Sequence, residues 1–226
     1  MLAKTQVLTF HGIGAPVQPV SEEEAQFFVP EEAYRQTIRL LSDMEQRHSA
    51  RFDVTFDDGN LSDFTVGLPA LVEAGRRGRF FVLAGRIGAR GYLSESQMRD
   101  IDAAGSVIGT HGYDHVDWRT LDEAGFRREL FDARRRIEDV IGKPVTEAAI
   151  PFGAFDRQVL HRLKKAGYDR VYTSTPGLSY GGAWFCPRWS PTATFDPRRD
   201  LPPRLALKQK LRGTAYALAR RFRYRI

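Results

Sequence analysis

The feature that most constrains this chain is a rhythm: short runs of β-branched and aromatic residues alternate with longer stretches of helical periodicity. The runs lie at 6–10, 52–56, 79–84, 106–110, 147–150 and 170–173, each of strand length. Helices are expected at 30–48, 63–76, 94–104, 122–141 and 155–167. Ser94 with Gln97 forms a capping box, and Gly142 and Gly167 stand where C-caps belong. Strand followed by helix, repeated, builds a parallel sheet, because parallel neighbours need a crossover. The outcome is a closed barrel or an open doubly wound sheet. After Tyr180-Gly181-Gly182 the rhythm fails in a stretch with two tryptophans and five prolines.

In such folds chemistry sits on loops at the carboxyl ends of strands. There the polar clusters fall: His11 after the first run, Asp57-Asp58-Gly59-Asn60 after the second, His111 to His115 after the fourth, Pro151-Phe152-Gly153 after the fifth. Two adjacent carboxylates on an extended chain point to opposite sides, so one can bind a cation and the other handle a proton. Asp-Asp-Gly-Asn is also ordinary turn chemistry, and only its convergence with the other clusters lifts it above that. His111 and His115, four residues apart, can share one cation. With Asp58 they make a His-His-carboxylate set that leaves positions open for water and a substrate oxygen. His48 and His161 lie in helical patterns with basic neighbours and read as surface residues.

Thr55-Phe56-Asp57-Asp58-Gly59 followed by His111-x-x-x-His115 resembles the polysaccharide deacetylase family, the NodB-homology domain of carbohydrate esterase family four, over about three quarters of the chain. The resemblance implies a distorted (β/α) barrel that hydrolyses acetamido groups on sugars. It implies Asp57 as general base, Asp58, His111 and His115 as ligands of a divalent metal, and the Phe152 N–H as oxyanion donor. Zinc is the expected metal, with cobalt, nickel and iron as alternatives. Two departures stand out. The arginine that opens the third family motif is replaced by Ala149, and no histidine follows His161 to serve as the late general acid. Val7-Leu8-Thr9-Phe10-His11 has the same form as the missing late motif. Since first and last strands of a barrel are neighbours, a circularly permuted order would deliver His11 as the acid. Trp118, Trp184 and Trp189 lie in or after loop-like sequence and suit either stacking on sugar rings or a place in the core, with a slighter claim to a sugar for Tyr92. Gly12-Ile13-Gly14 lacks the third glycine of a dinucleotide fingerprint.

Composition bounds the rest. A length of 226 residues with 42% hydrophobic side chains suits one folded domain and excludes a mainly disordered chain. Cys186 alone cannot form an internal disulfide, and no stretch of ~18 apolar residues is present. With only a short apolar core at the N-terminus, no cleaved signal is expected, and the expected location is cytoplasmic. The net charge of +6 is concentrated at one end: residues 204–226 hold eight basic side chains and no acid, so 26 basic face 28 acidic residues in 1–203. The chain thus divides into a catalytic body, 1–203, and a basic amphipathic segment, 204–226. Leucines at helical spacing in that segment suit an anionic membrane surface, placing the protein at the inner face of the membrane. No nucleic-acid-binding motif accompanies the charge. The expected partner is an N-acetylated glycan. The alternatives are a deformylase of a lipid-linked amino sugar, or a catalytically impaired glycan-binding member of a synthesis complex.

Overall fold

The computed structural model describes residues 4–48, 50–175, 177–180, 182–205 and 223–224. In chain order the strands are β1 (Lys4–Phe10), β2 (Gly12–Ile13), β3 (Phe28–Val29), β4 (Arg51–Phe56), β5 (Gly78–Val82), β6 (Val107–Thr110), β7 (Glu147–Ala149), β8 (Arg170–Thr173), β9 (Ser179–Tyr180) and β10 (Phe185–Pro187). The α-helices are α1 (Glu22–Ala25), α2 (Glu31–His48), α3 (Leu68–Glu73), α4 (Glu95–Ala103), α5 (Glu123–Arg127), α6 (Ala133–Ile141), α7 (Arg157–Lys165), α8 (Pro197–Asp200) and α9 (Pro202–Leu205).

The large sheet runs β10-β8-β7-β6-β5-β4-β1-β9, with β9 antiparallel to β1 and every other pair parallel. It curls until its ends meet. Trp189, just past β10, bridges Leu8 in parallel, accepting from Thr9 N and donating to Val7 O, both at 2.9 Å. The expected distorted (β/α) barrel is therefore what forms, and the first and last parallel strands are neighbours.

Side chains alternate across the wall with the strand period of two. Outward, Phe10, Phe56 and Phe80 meet Tyr34, Ile38 and Leu41 of α2 in the main core. Phe56 and Phe80 stack at 4.4 Å, and Tyr34 meets Phe10 edge-on at 4.9 Å. Each such fully buried side chain contributes about 1.5–3 kcal/mol. Inward, the lumen is layered. Arg79 pairs with Asp53 at 3.4 Å and with Glu147 at 2.9 Å. Val7, Phe81, Ala149, Tyr172 and Cys186 form an apolar layer, and the Thr9 and Thr55 hydroxyls lie 2.9 Å apart in the layer that ends at Asp57.

Two of the expected helices form with interruptions. At 63–76 a wide turn, Asp63–Gly67, precedes α3, and a Cβ on Gly67 would come within 2.9 Å of the Phe56 ring. At 122–141 a π-bulge, Arg128–Asp132, separates α5 from α6 and carries the buried Glu129. The Ser94 capping box is present, and Gly142 closes α6 in the left-handed conformation, φ 71°.

Candidate active site

The end of β4 delivers both acids. Asp57 continues the ladder, its N–H donating to Phe10 O at 2.9 Å, so its side chain follows the strand alternation into the lumen. There Arg188 grips it with two hydrogen bonds, Nη1 to Oδ1 at 2.6 Å and Nη2 to Oδ2 at 2.7 Å. Both side chains are almost wholly buried. Burial raises the Asp57 pKa, but Arg188, then His111 and His11, outweigh it and hold the carboxyl at about 2. Asp57 is thus a carboxylate at any working pH.

Arg188 is the residue that sequence reasoning missed. It lies directly after β10, in the stretch where the strand–helix rhythm had broken. The only local signal was a basic residue ending the short apolar run Phe185-Cys186-Pro187. Its guanidinium lies over Phe81 and Tyr172 at 5.4 and 5.7 Å from their centroids, above the layer that holds the small Ala149. A second arginine at 149 would compete for the same space.

Asp58 turns the other way, in a left-handed backbone conformation with φ 72°. Its Oδ1 stands 3.6 Å from His111 Nε2 and 3.6 Å from His115 Nε2. One ligand atom from each of the three lies within 4.8 Å of the others. Asp58 Oδ1 is buried without a hydrogen-bond partner. Burial, then the Asp57 charge, pushes the Asp58 pKa up to about 7. An orphaned carboxylate oxygen between two imidazoles fits a divalent cation, which would remove both penalties. His111 Nδ1 lies 2.9 Å from the Ala149 carbonyl. That contact assigns the proton to Nδ1 and leaves Nε2 as a lone-pair donor. Burial lowers the pKa of both histidines, that of His115 to about 3, so both are neutral.

The loop between the histidines is built around Glu129, which is 1% exposed. Its Oε2 accepts from Tyr113 N at 2.8 Å and Trp118 Nε1 at 3.1 Å, and Oε1 accepts from Asp114 N at 3.0 Å. Gly112, φ 89°, leaves room for this carboxylate, since a Cβ there would stand 2.2 Å from Oε2. Among the described residues the non-glycine positions with positive φ are Asp58, His115 and Phe152, all lining one cleft of about 980 Å³. Such strain, of order 1–3 kcal/mol each, is held only where the surroundings enforce it.

His11 lies in the same cleft, its Nε2 3.8 Å from Asp57 Oδ2 and its ring 5.2 Å from Phe27. Burial lowers its pKa to about 4, against the pull of Asp57. Asn60 Nδ2 donates to the His11 carbonyl, and Gln18 Nε2 to Asn60 Oδ1. These bonds tie the β4 loop to the segment joining β2 to β3, which walls the cleft with α1. Gly12 and Ile13 form a short strand against Phe28 and Val29, with Gly12 under the Phe28 ring. Phe152 is 62% exposed, and its ring lies 4.4 Å from that of His115.

The tryptophans need correction. Trp118 is fully buried in the second hydrophobic cluster and bonded to Glu129, so no sugar can reach it; it positions the histidine loop. Trp184 packs on that same cluster and donates to Tyr168 O at 2.8 Å, away from the cleft lining. Trp189 and Tyr92 do line the cleft, although Arg204 stands 3.3 Å over the Trp189 ring.

Comparison with known proteins agrees with this geometry. The family model described as polysaccharide deacetylase matches residues 46–171, more than half of the chain. YxkH of Bacillus subtilis (strain 168), named for polysaccharide deacetylase, is 26% identical over 190 residues, covering 78% of this chain and 67% of that protein. A chitin deacetylase of Pestalotiopsis sp is 30% identical over 129 residues, 57% of this chain. This chain spans only 43% of that enzyme's length. Among solved structures, the Streptococcus pyogenes deacetylase PplD in complex with acetate has a TM-score of 0.75 at 19% identity, covering 89% of this chain and 98% of that one. That likeness is one of fold.

Proposed function

Since the chain belongs to the polysaccharide deacetylase family, we propose that it is a divalent-metal-dependent hydrolase removing N-acetyl groups from a sugar of a polysaccharide or lipid-linked glycan. The observation that carries this reading is the junction of Asp58, His111 and His115 with the buried, arginine-held carboxylate of Asp57 in one cleft. Asp58 Oδ1, His111 Nε2 and His115 Nε2 would hold the cation, with zinc preferred by the nitrogen-rich donor set. Bound there, it supplies Lewis acidity, polarising the amide carbonyl and making a water acidic enough to attack.

The chain's own residues do the rest. Asp57 Oδ2 takes the proton of the attacking water, and Arg188 keeps that oxygen aimed and ionised. The carbonyl oxygen gains charge as the tetrahedral centre forms, and the Phe152 N–H at the cleft is the donor offered to it. His11 carries a proton to the leaving amine. Its Nε2 stands 3.8 Å from Asp57 Oδ2, close enough to receive that proton from the carboxyl. Arg188 also removes the motive for reading the Ala149 departure as lost catalysis.

The test is acetate release from N-acetylhexosamine oligomers, with N-formyl analogues run alongside and Asp57→Asn as the inactive control. Metal bound tightly with no acyl group released from any glycan would overturn the catalytic reading. The membrane role of Arg204–Ile226 belongs to the same proposal and rests on charge and leucine spacing alone; Arg204 itself lines the cleft, and residues 206–222, 225 and 226 lie outside the described structure. Cytoplasmic placement likewise rests on composition.

A further inference from the structure

The cleft is lined by three arginines, Arg86, Arg188 and Arg204, and the fold occupies two of them. Arg188 is committed to Asp57, and Arg86 Nη1 donates to the Tyr92 hydroxyl at 2.9 Å. Arg204 enters from α9, its backbone carbonyl anchored to β1 by Gln6 Nε2 at 3.1 Å. Its guanidinium carbon stands 3.3 Å over the Trp189 ring. Among the described residues that guanidinium has no hydrogen bond and no ion pair.

Among the described residues no acid is ion-paired with it. Asp200, the one carboxylate that acts on it, is bonded to Arg199 at 2.7 Å. Of the two glutamates that line the cleft, Glu23 and Glu24, Glu24 accepts from Ser21 N at 3.1 Å, and among the described residues neither is paired with Arg204. Burial draws the Arg204 pKa down to about 10 against the pull of Asp200, so the charge has lost more from water than its neighbours return. A cation so placed is costly until something supplies negative charge. Trp189 holds it ready, because that residue is fixed to β1 on both sides of its peptide; a stacked, pre-oriented guanidinium loses little freedom on binding.

We propose that Arg204 is a specificity-determining binding residue that takes an anionic substituent, a carboxylate or a phosphate, on the glycan whose N-acetyl group reaches Asp57. A planar guanidinium offers either group two parallel N–H donors. The neighbouring cleft wall supplies Ser190 and the Gln6 side chain as further polar contacts. This inference deepens the deacetylase reading and rests on it.

The experiment measures kcat/KM on three sets of N-acetylated oligosaccharides of equal length: neutral, bearing a uronic or ether-linked carboxylate, and bearing a sugar phosphate. The zinc-loaded full chain is compared with Arg204→Gln and Arg204→Lys. Wild type should prefer one anionic set over the neutral one. Arg204→Gln should shrink that ratio on the order of 10- to 100-fold, the weight of a charge-assisted pair, and Arg204→Lys should restore part of it. The arm that responds identifies carboxylate or phosphate. A ratio that Arg204→Gln leaves unchanged in both arms overturns the proposal, as does wild type with no anionic preference. Calorimetric affinities of Asp57→Asn and Asp57→Asn/Arg204→Gln for the same sugars keep the two readings apart. Anion-dependent binding without acetate release sinks the deacetylase reading alone, and acetate release with equal affinities for all three sets sinks this one.

Discussion

Replacing Arg188 by methionine isolates what the buried ion pair does. The substitution keeps most of the side-chain volume over Phe81 and Tyr172 and deletes both hydrogen bonds to Asp57, at 2.6 and 2.7 Å. Breaking a buried pair by removing one partner costs about 3–5 kcal/mol, because the other charge is left uncompensated. In wild type the folded pKa of Asp57, about 2, lies below its ordinary 3.8. Asp57 therefore contributes stability that is complete above the ordinary value and lost only as pH falls through about 2. Without Arg188, burial, the largest single influence on this carboxyl, carries its pKa above the ordinary value. Ionised Asp57 then destabilises the fold at neutral pH and is relieved by protonation as pH falls. Urea unfolding of wild type, Arg188→Met, Asp57→Asn and the double variant should give a coupling of about 3–5 kcal/mol at pH 7, smaller at pH 4. The kcat/KM profile of Arg188→Met should gain an acid limb within the assay range that wild type lacks. A coupling below about 1 kcal/mol, the value of a solvent-exposed pair, together with a kcat/KM profile that gains no acid limb, would refute the reasoning.

Zinc should raise the melting temperature more at pH 8 than at pH 5.5, because Asp58, with a pKa near 7 before metal binds, must shed its proton to ligate; differential scanning fluorimetry with and without chelator reads this, and an equal increment at both pH values would contradict it. Glu129→Ala strips the acceptor from three N–H donors of the histidine loop. It should cost about 3 kcal/mol or more and weaken zinc affinity roughly 10- to 100-fold by loosening His115, read by competition with a fluorescent chelator. Phe152→Gly should stabilise the apo protein by about 1 kcal/mol, since φ 57° suits glycine and the ring is mostly exposed, while lowering kcat; a destabilised variant would show that the His115 contact outweighs the backbone strain.

The barrel was legible because its strands are short runs rich in β-branched and aromatic residues while its helices show one apolar face, and that contrast survives in the letters even though the lumen face carries Arg79, Asp53 and Glu147. Asp57, Asp58, His111 and His115 were legible for a related reason: each follows its strand within one to five residues, so locating the strand locates the side chain. Arg188 was not, because its meaning comes from closure. Only when Trp189 completes the wall between β10 and β1 does the residue before it face a carboxylate 131 positions away. Trp118 and Trp184 were misplaced for the opposite reason. An indole in loop-like sequence suits either a sugar platform or a buried hydrogen-bond donor. What buried Trp118 was Glu129, brought within 3.1 Å of the indole N–H by a π-bulge that helical periodicity does not reveal.

The same closure gives physical content to the two departures from the family pattern. The Arg188 guanidinium occupies the lumen beside Phe81 and Tyr172. With Arg188 entering from β10 and holding Asp57, β7 presents the small Ala149 in the layer below. His11, at the end of β1 beside that closing segment, meets the same carboxylate from the neighbouring strand. Two sequence irregularities at opposite ends of the chain thus become one local arrangement, in which Asp57 receives Arg188 on one side and His11 on the other. The arrangement predicts that they couple: Arg188→Met should move the pKa of His11 upward by removing a nearby cation, which NMR titration of the imidazole in the chelated protein reads directly, and an unmoved resonance would separate the two substitutions.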